Sequence, residues 1–136
     1  MGNTSSQGNT SSQGNMDRLQ RIIEPLPEAE RVDVEAWGDH PTFRVNGKNF
    51  LFSDTDATHL SFKLPKEEAA AVVATDPDAE PAGYGLGRHG WVALTLPATV
   101  DEDRWREVEE WVRTSYLLVA PKRLGRLVEG ADPTAR

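Results

Sequence analysis

Thr42-Phe-Arg-Val-Asn-Gly-Lys-Asn-Phe-Leu-Phe-Ser53 decides how this chain folds. Two aromatic-rich runs flank Asn46-Gly47, and a two-residue loop of that composition makes a type I′ turn, because both central residues must take positive φ. Thr42–Val45 and Lys48–Ser53 therefore predict a hairpin in which Val45 faces Lys48 and Phe43 faces Phe50. Outward from it, Val32–Trp37 alternates and predicts a preceding strand. His59–Leu64 and Gly90–Leu96 predict two following ones.

Strand parity assigns the faces. Phe43, Val45, Phe50, Phe52, Leu60, Phe62, Leu64, Val92, Leu94 and Leu96 are expected inside, with Val32, Val34 and Ala36. Arg44, Asn49, Leu51, Ser53, Ser61, Lys63, Trp91, Ala93 and Thr95 are expected on the opposite face, with Asp33, Glu35 and Trp37. Leu19, Ile22, Ile23 and Leu26 share one stripe of a first helix capped by Asn15 or Asp17. Pro65 opens a short helix over Lys66–Ala74. Asp76–Gly83 and Tyr84–Arg88 read as loop. Thr99-Val-Asp-Glu102 is a capping box for a final helix that places Trp105, Val108, Val112, Tyr116 and Val119 on one face. Pro121 ends that helix and leaves a basic coda, Lys122-Arg-Leu-Gly-Arg126. The order α-β-β-β-β-α-β-α is an α+β fold, an antiparallel sheet with helices packed on one face.

Gly2-Asn-Thr-Ser-Ser-Gln7 repeats as Gly8-Asn-Thr-Ser-Ser-Gln13 ahead of a second methionine, Met16. The segment carries no charge and no apolar residue after Met1, so nothing offsets the entropy of ordering it. Residues 1–15 are thus expected to be a disordered leader or expression tag, and 16–136 a single domain. The absence of cysteine excludes disulfides, thiolate metal sites and thiol nucleophiles. No apolar run approaches the ~20 residues of a membrane span. The expected setting is the cytoplasm, with no membrane partner. Formal net charge is −7, opposite to that of most nucleic-acid domains, yet a basic face can persist within an acidic average.

Five landmarks in order resemble the MmcQ/YjbR-like family of small bacterial proteins. They are Trp37-Gly38, Phe43-Arg-Val-Asn-Gly-Lys48, Leu60-Ser-Phe-Lys-Leu64, Arg88-His-Gly-Trp91, and Ser115-Tyr116 leading into Leu118-Val-Ala-Pro-Lys122. The resemblance runs from Asp17 to about Arg126. It implies a frataxin-like (CyaY-like) fold and a double-wing DNA-binding role, and it brings no catalytic residues and no cofactor. Pro121 departs from the family pattern, which continues there with a small or apolar residue.

The candidate contacts for nucleic acid or another anionic or aromatic ligand are Arg44, Lys48, Lys63, Arg88, His89, Trp91, Lys122 and Arg123. Guanidinium and indole surfaces suit phosphates and bases. The competing structural reading has Asp33 and Glu35 neutralising Arg44 and Lys63 across neighbouring strands, and Lys122 and Arg123 complementing a helix dipole. His40, His59 and His89 with Asp39, Asp54 and Asp56 lack metal-ligand spacing, so no metal is expected. Gly83-Tyr-Gly-Leu-Gly87 lacks the spacing of a phosphate loop, and no nucleophile motif occurs. Three functions stay open. One is a DNA-binding module, acting as a monomer or weak homodimer. Another is a small-molecule binder or enzyme using the outer sheet face under the Tyr84–Gly90 loop. The third is a protein-interaction domain anchored by exposed Trp37 or Trp111.

Overall fold

The computed structural model describes residues 11–35, 40–83 and 85–131. In chain order the elements are α1 (Ser11–Ile23), β1 (Glu30–Val34), β2 (His40–Val45), β3 (Lys48–Ser53), β4 (His59–Lys63), α2 (Lys66–Thr75), β5 (Ala79–Pro81), a 3-10 turn (Leu86–His89), β6 (Trp91–Thr95), α3 (Glu102–Val119) and α4 (Lys122–Ala131). One six-stranded sheet runs β1-β2-β3-β4-β6-β5, antiparallel at every pairing. α3 lies against β3 and β4. All four helices feed one core, through Leu19, Ala69, Val112 and Leu124 among others.

The hairpin forms on the expected turn, with Asn46 and Gly47 at φ 53° and 77°. Its register does not stay constant. Val45 pairs with Lys48 and Arg44 with Asn49, but Phe43 pairs with Leu51 and Thr42 with Phe52, so Phe50 is the extra residue of a β-bulge. The bulge turns Phe50 and Leu51 both into the core, each fully buried, and reverses parity beyond them. The expected Phe43–Phe50 pairing is therefore corrected. Leu51 and Ser53, expected outside, are buried, while Phe52, expected inside, joins the outer face and meets the Trp91 ring at 5.3 Å.

A bulge interrupts the ladder to the neighbouring strand and strands backbone polar groups. On the other side of β3, beyond the Leu51–Phe62 pair, Ser115 of α3 bridges β3 and β4. Its Oγ donates to the Phe50 carbonyl at 2.6 Å and accepts from the Lys63 amide at 2.8 Å. Beside it Tyr116 packs edge-on against Phe50, with centroids 5.5 Å apart, and donates its hydroxyl to the Pro27 carbonyl. Burying a large side chain such as Phe50 stabilises by about 2 kcal/mol, so the bulge gains apolar contact while Ser115 satisfies the Phe50 carbonyl.

β1 also departs from expectation. Val32 pairs with Thr42 and Val34 with His40, which puts both valines on the outer face; Arg31 pairs with Phe43 and Asp33 with Pro41. Arg31 instead holds Asp33 and Gln20 at 2.8 Å. Alternation holds in β1, but its pairing register with β2 sets the opposite phase. Ala36, Trp37, Gly38 and Asp39 lie outside the described residues, as do Tyr84 and residues 1–10.

Four further elements differ. α1 begins at Ser11, inside the segment expected to be leader. Asn15 is buried rather than capping, and its amide donates to the Ala57 and Pro97 carbonyls at 3.2 and 2.9 Å. α3 is capped by Asp101, whose carboxylate accepts from the Arg104 amide, not by Thr99. Pro121 does end α3, yet its carbonyl accepts from the Leu124 and Gly125 amides and opens α4, so the expected coda is helical. The loop expected over Asp76–Gly83 contains β5, three residues ending in Pro81 that form one sheet edge opposite β1.

Candidate functional site

The outer sheet face is the surface on which polar and aromatic residues converge. Cross-strand pairing sets Arg44 beside Asn49 and Lys63 beside Trp91, near the hairpin end of the sheet. One row further along, Thr42 pairs with Phe52, Phe52 with Ser61, Ser61 with Ala93, and Ala93 with Glu80. Beyond that, His59 pairs with Thr95. A groove of about 510 Å³ runs over this face, with Ser61 and Ala93 on its floor and Phe52 and Glu80 on opposite sides. Small side chains on β4 and β6 make the floor low. Phe52, packed against Trp91, raises one wall.

Two atoms near the hairpin end stand out: Arg44 Nε and Asn49 Oδ1 are buried without a hydrogen-bond partner among the described residues. Native structures leave few such groups. The expected lattice of Asp33 and Glu35 across Arg44 and Lys63 does not form. Asp33 sits on the helix-side face with Arg31, and the cross-strand neighbour of Arg44 is Glu30.

The eight residues expected to bind a ligand do not form one contiguous surface. Arg44, Lys63 and Trp91 share the outer face. Lys48 opens β3 beside the hairpin turn, and Arg88 and His89 are exposed in the 3-10 turn leading into Trp91. Lys122 and Arg123 belong to α4, on the helical side. There Lys122 and Arg126 border a cleft of about 290 Å³ between α3 and α4, and Arg123 reaches Glu28 at 3.3 Å. Trp111, a suggested exposed anchor, is buried: it stacks on Phe62 at 5.5 Å and lies under the Arg104 guanidinium.

At the far end of the groove, Asp54 organises the β3–β4 turn. Its carboxylate accepts from the Thr58 and His59 amides, the Thr58 hydroxyl at 2.6 Å, and pairs with His59 Nδ1 at 3.1 Å. Burial pushes this carboxyl up, but the bonds from Thr58 and His59 outweigh it and hold it below the ordinary carboxylate range. The turn keeps Ala57 at positive φ with its side chain fully buried. Asp54 and His59 thus serve the turn, and among the described residues no three His, Asp or Glu side chains gather as metal ligands.

Several motif residues are used by the fold itself. Ser115 and Tyr116 secure the bulge, and Asn46-Gly47 makes the turn. Gly90, at φ 92°, passes so close to Leu64 that a Cβ would overlap its carbonyl oxygen, while the Leu64 amide donates to the Gly90 carbonyl at 2.9 Å. The groove wall at Phe52 escaped the sequence reading; only the extra residue at Phe50 reveals it, and alternation alone carries no sign of that.

This is a small α+β domain with an open antiparallel sheet, helices on one face and a polar, aromatic groove on the other. The YjbR family model matches residues 25–118, most of the described fold, and the chain belongs to that family. Among solved structures it is similar to the Deinococcus radiodurans protein DR2400, whose domain carries the family-model name DUF419. Identity is 26%, 76% of each chain is covered, and the TM-score is 0.62. A comparison with curated proteins finds no match. Among the described residues no helix is long and apolar enough to cross a membrane.

Proposed function

We propose that this domain is a nucleic-acid-binding module with no chemistry of its own, and that its DNA-facing surface is the hairpin end of the sheet. The observation that carries this reading is a separation of charge along the strands. β2 ends and β3 starts at the hairpin; β4 returns to that end at Lys63, where β6 begins at Trp91. Ser115 lies against Phe50 and Lys63, so the last turn of α3 and the start of α4 project from the same end. Arg44, Lys48, Lys63 and Arg88 therefore lie at that end, with Lys122 and Arg126 toward it on the helical side. Asp54, Asp76, Asp78, Asp101, Glu102 and Asp103 collect at the other, through the β3–β4 turn, the end of α2 and the start of α3. Glu28, Glu30, Glu67 and Glu68 temper the basic end, and Arg18, Arg104 and Arg106 pair Glu102, Asp76 and Asp103 at the other. A polarised surface of this kind orients a domain of net charge −7 toward a polyanion.

Fluorescence anisotropy with labelled duplex DNA tests the reading. Binding should be measurable at about 50 mM salt and weaken along a steep log–log slope, set by the phosphates neutralised. Lys48→Glu with Lys63→Glu should flatten that slope by about two units. Absence of binding to both duplex and single strands at low salt, or binding indifferent to salt, overturns it.

The groove favours a second reading, a small-molecule binder or enzyme on the outer face, since about 510 Å³ falls within the usual range of ligand sites. A clear rise in melting temperature with a neutral compound would support it over the first.

A further inference from the structure

We infer that the outer-face groove seats one unpaired base of a single strand, with the adjoining phosphate held at Lys63 and Arg44. This rests on the nucleic-acid reading and gives it a substrate class, single-stranded rather than duplex.

The groove has the proportions of a base seat. Its floor is two strands wide, β4 and β6, and its walls stand on β3 and β5. Backbone spacing sets those walls about 14 Å apart before side chains are counted. That admits one flat ring system over Ser61 and Ala93 and excludes a base still paired within a duplex. Phe52, tilted 55° against Trp91, supplies an aromatic wall on which any base can stack. Ser61 and Thr95 bring hydroxyls that both donate and accept.

Charge sets the direction of the strand. His40, His59, Asp54 and Glu80 border the groove. Asp54 is engaged by Thr58 and His59, and the exposed Glu80 disfavours a phosphate on its side while it accepts from a base with amino or imino donors. Lys63 flanks Trp91 at the hairpin end, and Arg44 stands two strands away on the same face. A nucleotide with its base in the groove and its phosphate toward that end meets each group with its complement.

The test uses the full chain and a fluorescein-labelled oligothymidylate of about 12 nucleotides. Ala93→Leu raises the floor, and Thr95→Tyr fills the groove from an exposed position where folding is readily kept. Either should weaken strand binding at least fivefold while leaving affinity for duplex DNA within about twofold, since the basic end is untouched. Tryptophan fluorescence should be quenched by the strand in the wild type and much less in Trp91→Phe. A folded Thr95→Tyr variant that binds the strand like the wild type overturns the inference, as does equal competition by a duplex. Thymidine 5′-monophosphate competing as strongly as the strand would make a free nucleotide the occupant and overturn the strand reading. Salt-dependent duplex binding without a strand effect removes the base seat alone; no binding to either polymer removes the nucleic-acid reading as well.

Discussion

Ser115 Oγ donates to the Phe50 carbonyl at 2.6 Å while accepting from the Lys63 amide, and so bridges β3 and β4 from the helix layer beyond their Leu51–Phe62 pair. A single hydroxyl can do this because it carries one proton and two lone pairs. No nucleophile motif surrounds the residue in the sequence, and in the structure its proton is already committed.

Ser115→Ala should leave two buried backbone groups unpaired, each worth about 1–3 kcal/mol. The variant should lose at least about 2 kcal/mol in chemical denaturation, with the transition remaining cooperative. A midpoint equal to the wild type's would mean the bulge needs no partner from α3.

Gly90→Ala combines positive φ with overlap on the Leu64 carbonyl. It should cost more than about 2 kcal/mol, whereas Gly83→Ala, with nothing within 4 Å of its added methyl, should change far less. Thermal melts of the two variants compare them directly. Similar losses would place the cost in chain stiffness rather than contact.

Gly14 lies in α1, and a methyl there meets nothing within 4 Å. Gly14→Ala should therefore stabilise by about 0.5–1 kcal/mol, the usual gain inside a helix. No gain in the melting temperature would place the ordered start of the helix at or after Met16.

Arg104 holds Asp76 at 2.6 and 2.9 Å, bonds Glu107 at 2.8 Å, and covers Trp111. Both Arg104 and Asp76 are only about 15% exposed. A double-mutant cycle of Arg104→Met with Asp76→Asn should report coupling of about 1–3 kcal/mol. Arg104→Lys should recover only part of it, because an ammonium does not match the two carboxylate oxygens as a guanidinium fork does. Additive single effects would reduce the pair to a surface contact.

Asp54 binds its proton less readily in the folded protein than an unfolded chain does. Its contribution is therefore complete above the ordinary carboxylate value of about 3.9 and lost as pH falls through the lower folded value. Asp54→Asn should melt well below the wild type near pH 6, and the gap should close toward about pH 2. A gap independent of pH would assign the effect to geometry rather than ionisation.

How far the sequence could be read depended on where each signal was stored. Asn46-Gly47 specifies its turn locally, and Leu60, Phe62, Val92 and Leu94 announce an inward face by period, so the sheet and its helix layer were legible. The bulge was not: Lys48-Asn-Phe-Leu-Phe-Ser53 satisfies alternation in either phase, and only the packing of α3 selects the one that buries Leu51. β1 failed for a related reason, since a half-buried edge strand takes its phase from the pairing register. Asn15 and Ser11–Gln13 look like solvated polar chain until two distant carbonyls, on Ala57 and Pro97, are seen to want a donor. Of the site, the cations on the outer face were legible, while the Phe52 wall depended on the bulge.

The two margins of the sheet bear on how copies of this protein meet. A further strand laid along β5 would find Pro81, which has no N–H to offer, next to the charged Glu80, over a run of only three residues. Along β1 it would face Glu30, Arg31 and Asp33, all exposed. Charge, brevity and proline are the means by which natural sheets avoid growing sideways. Association by strand addition is thereby discouraged, and this domain should stay dispersed even at high concentration.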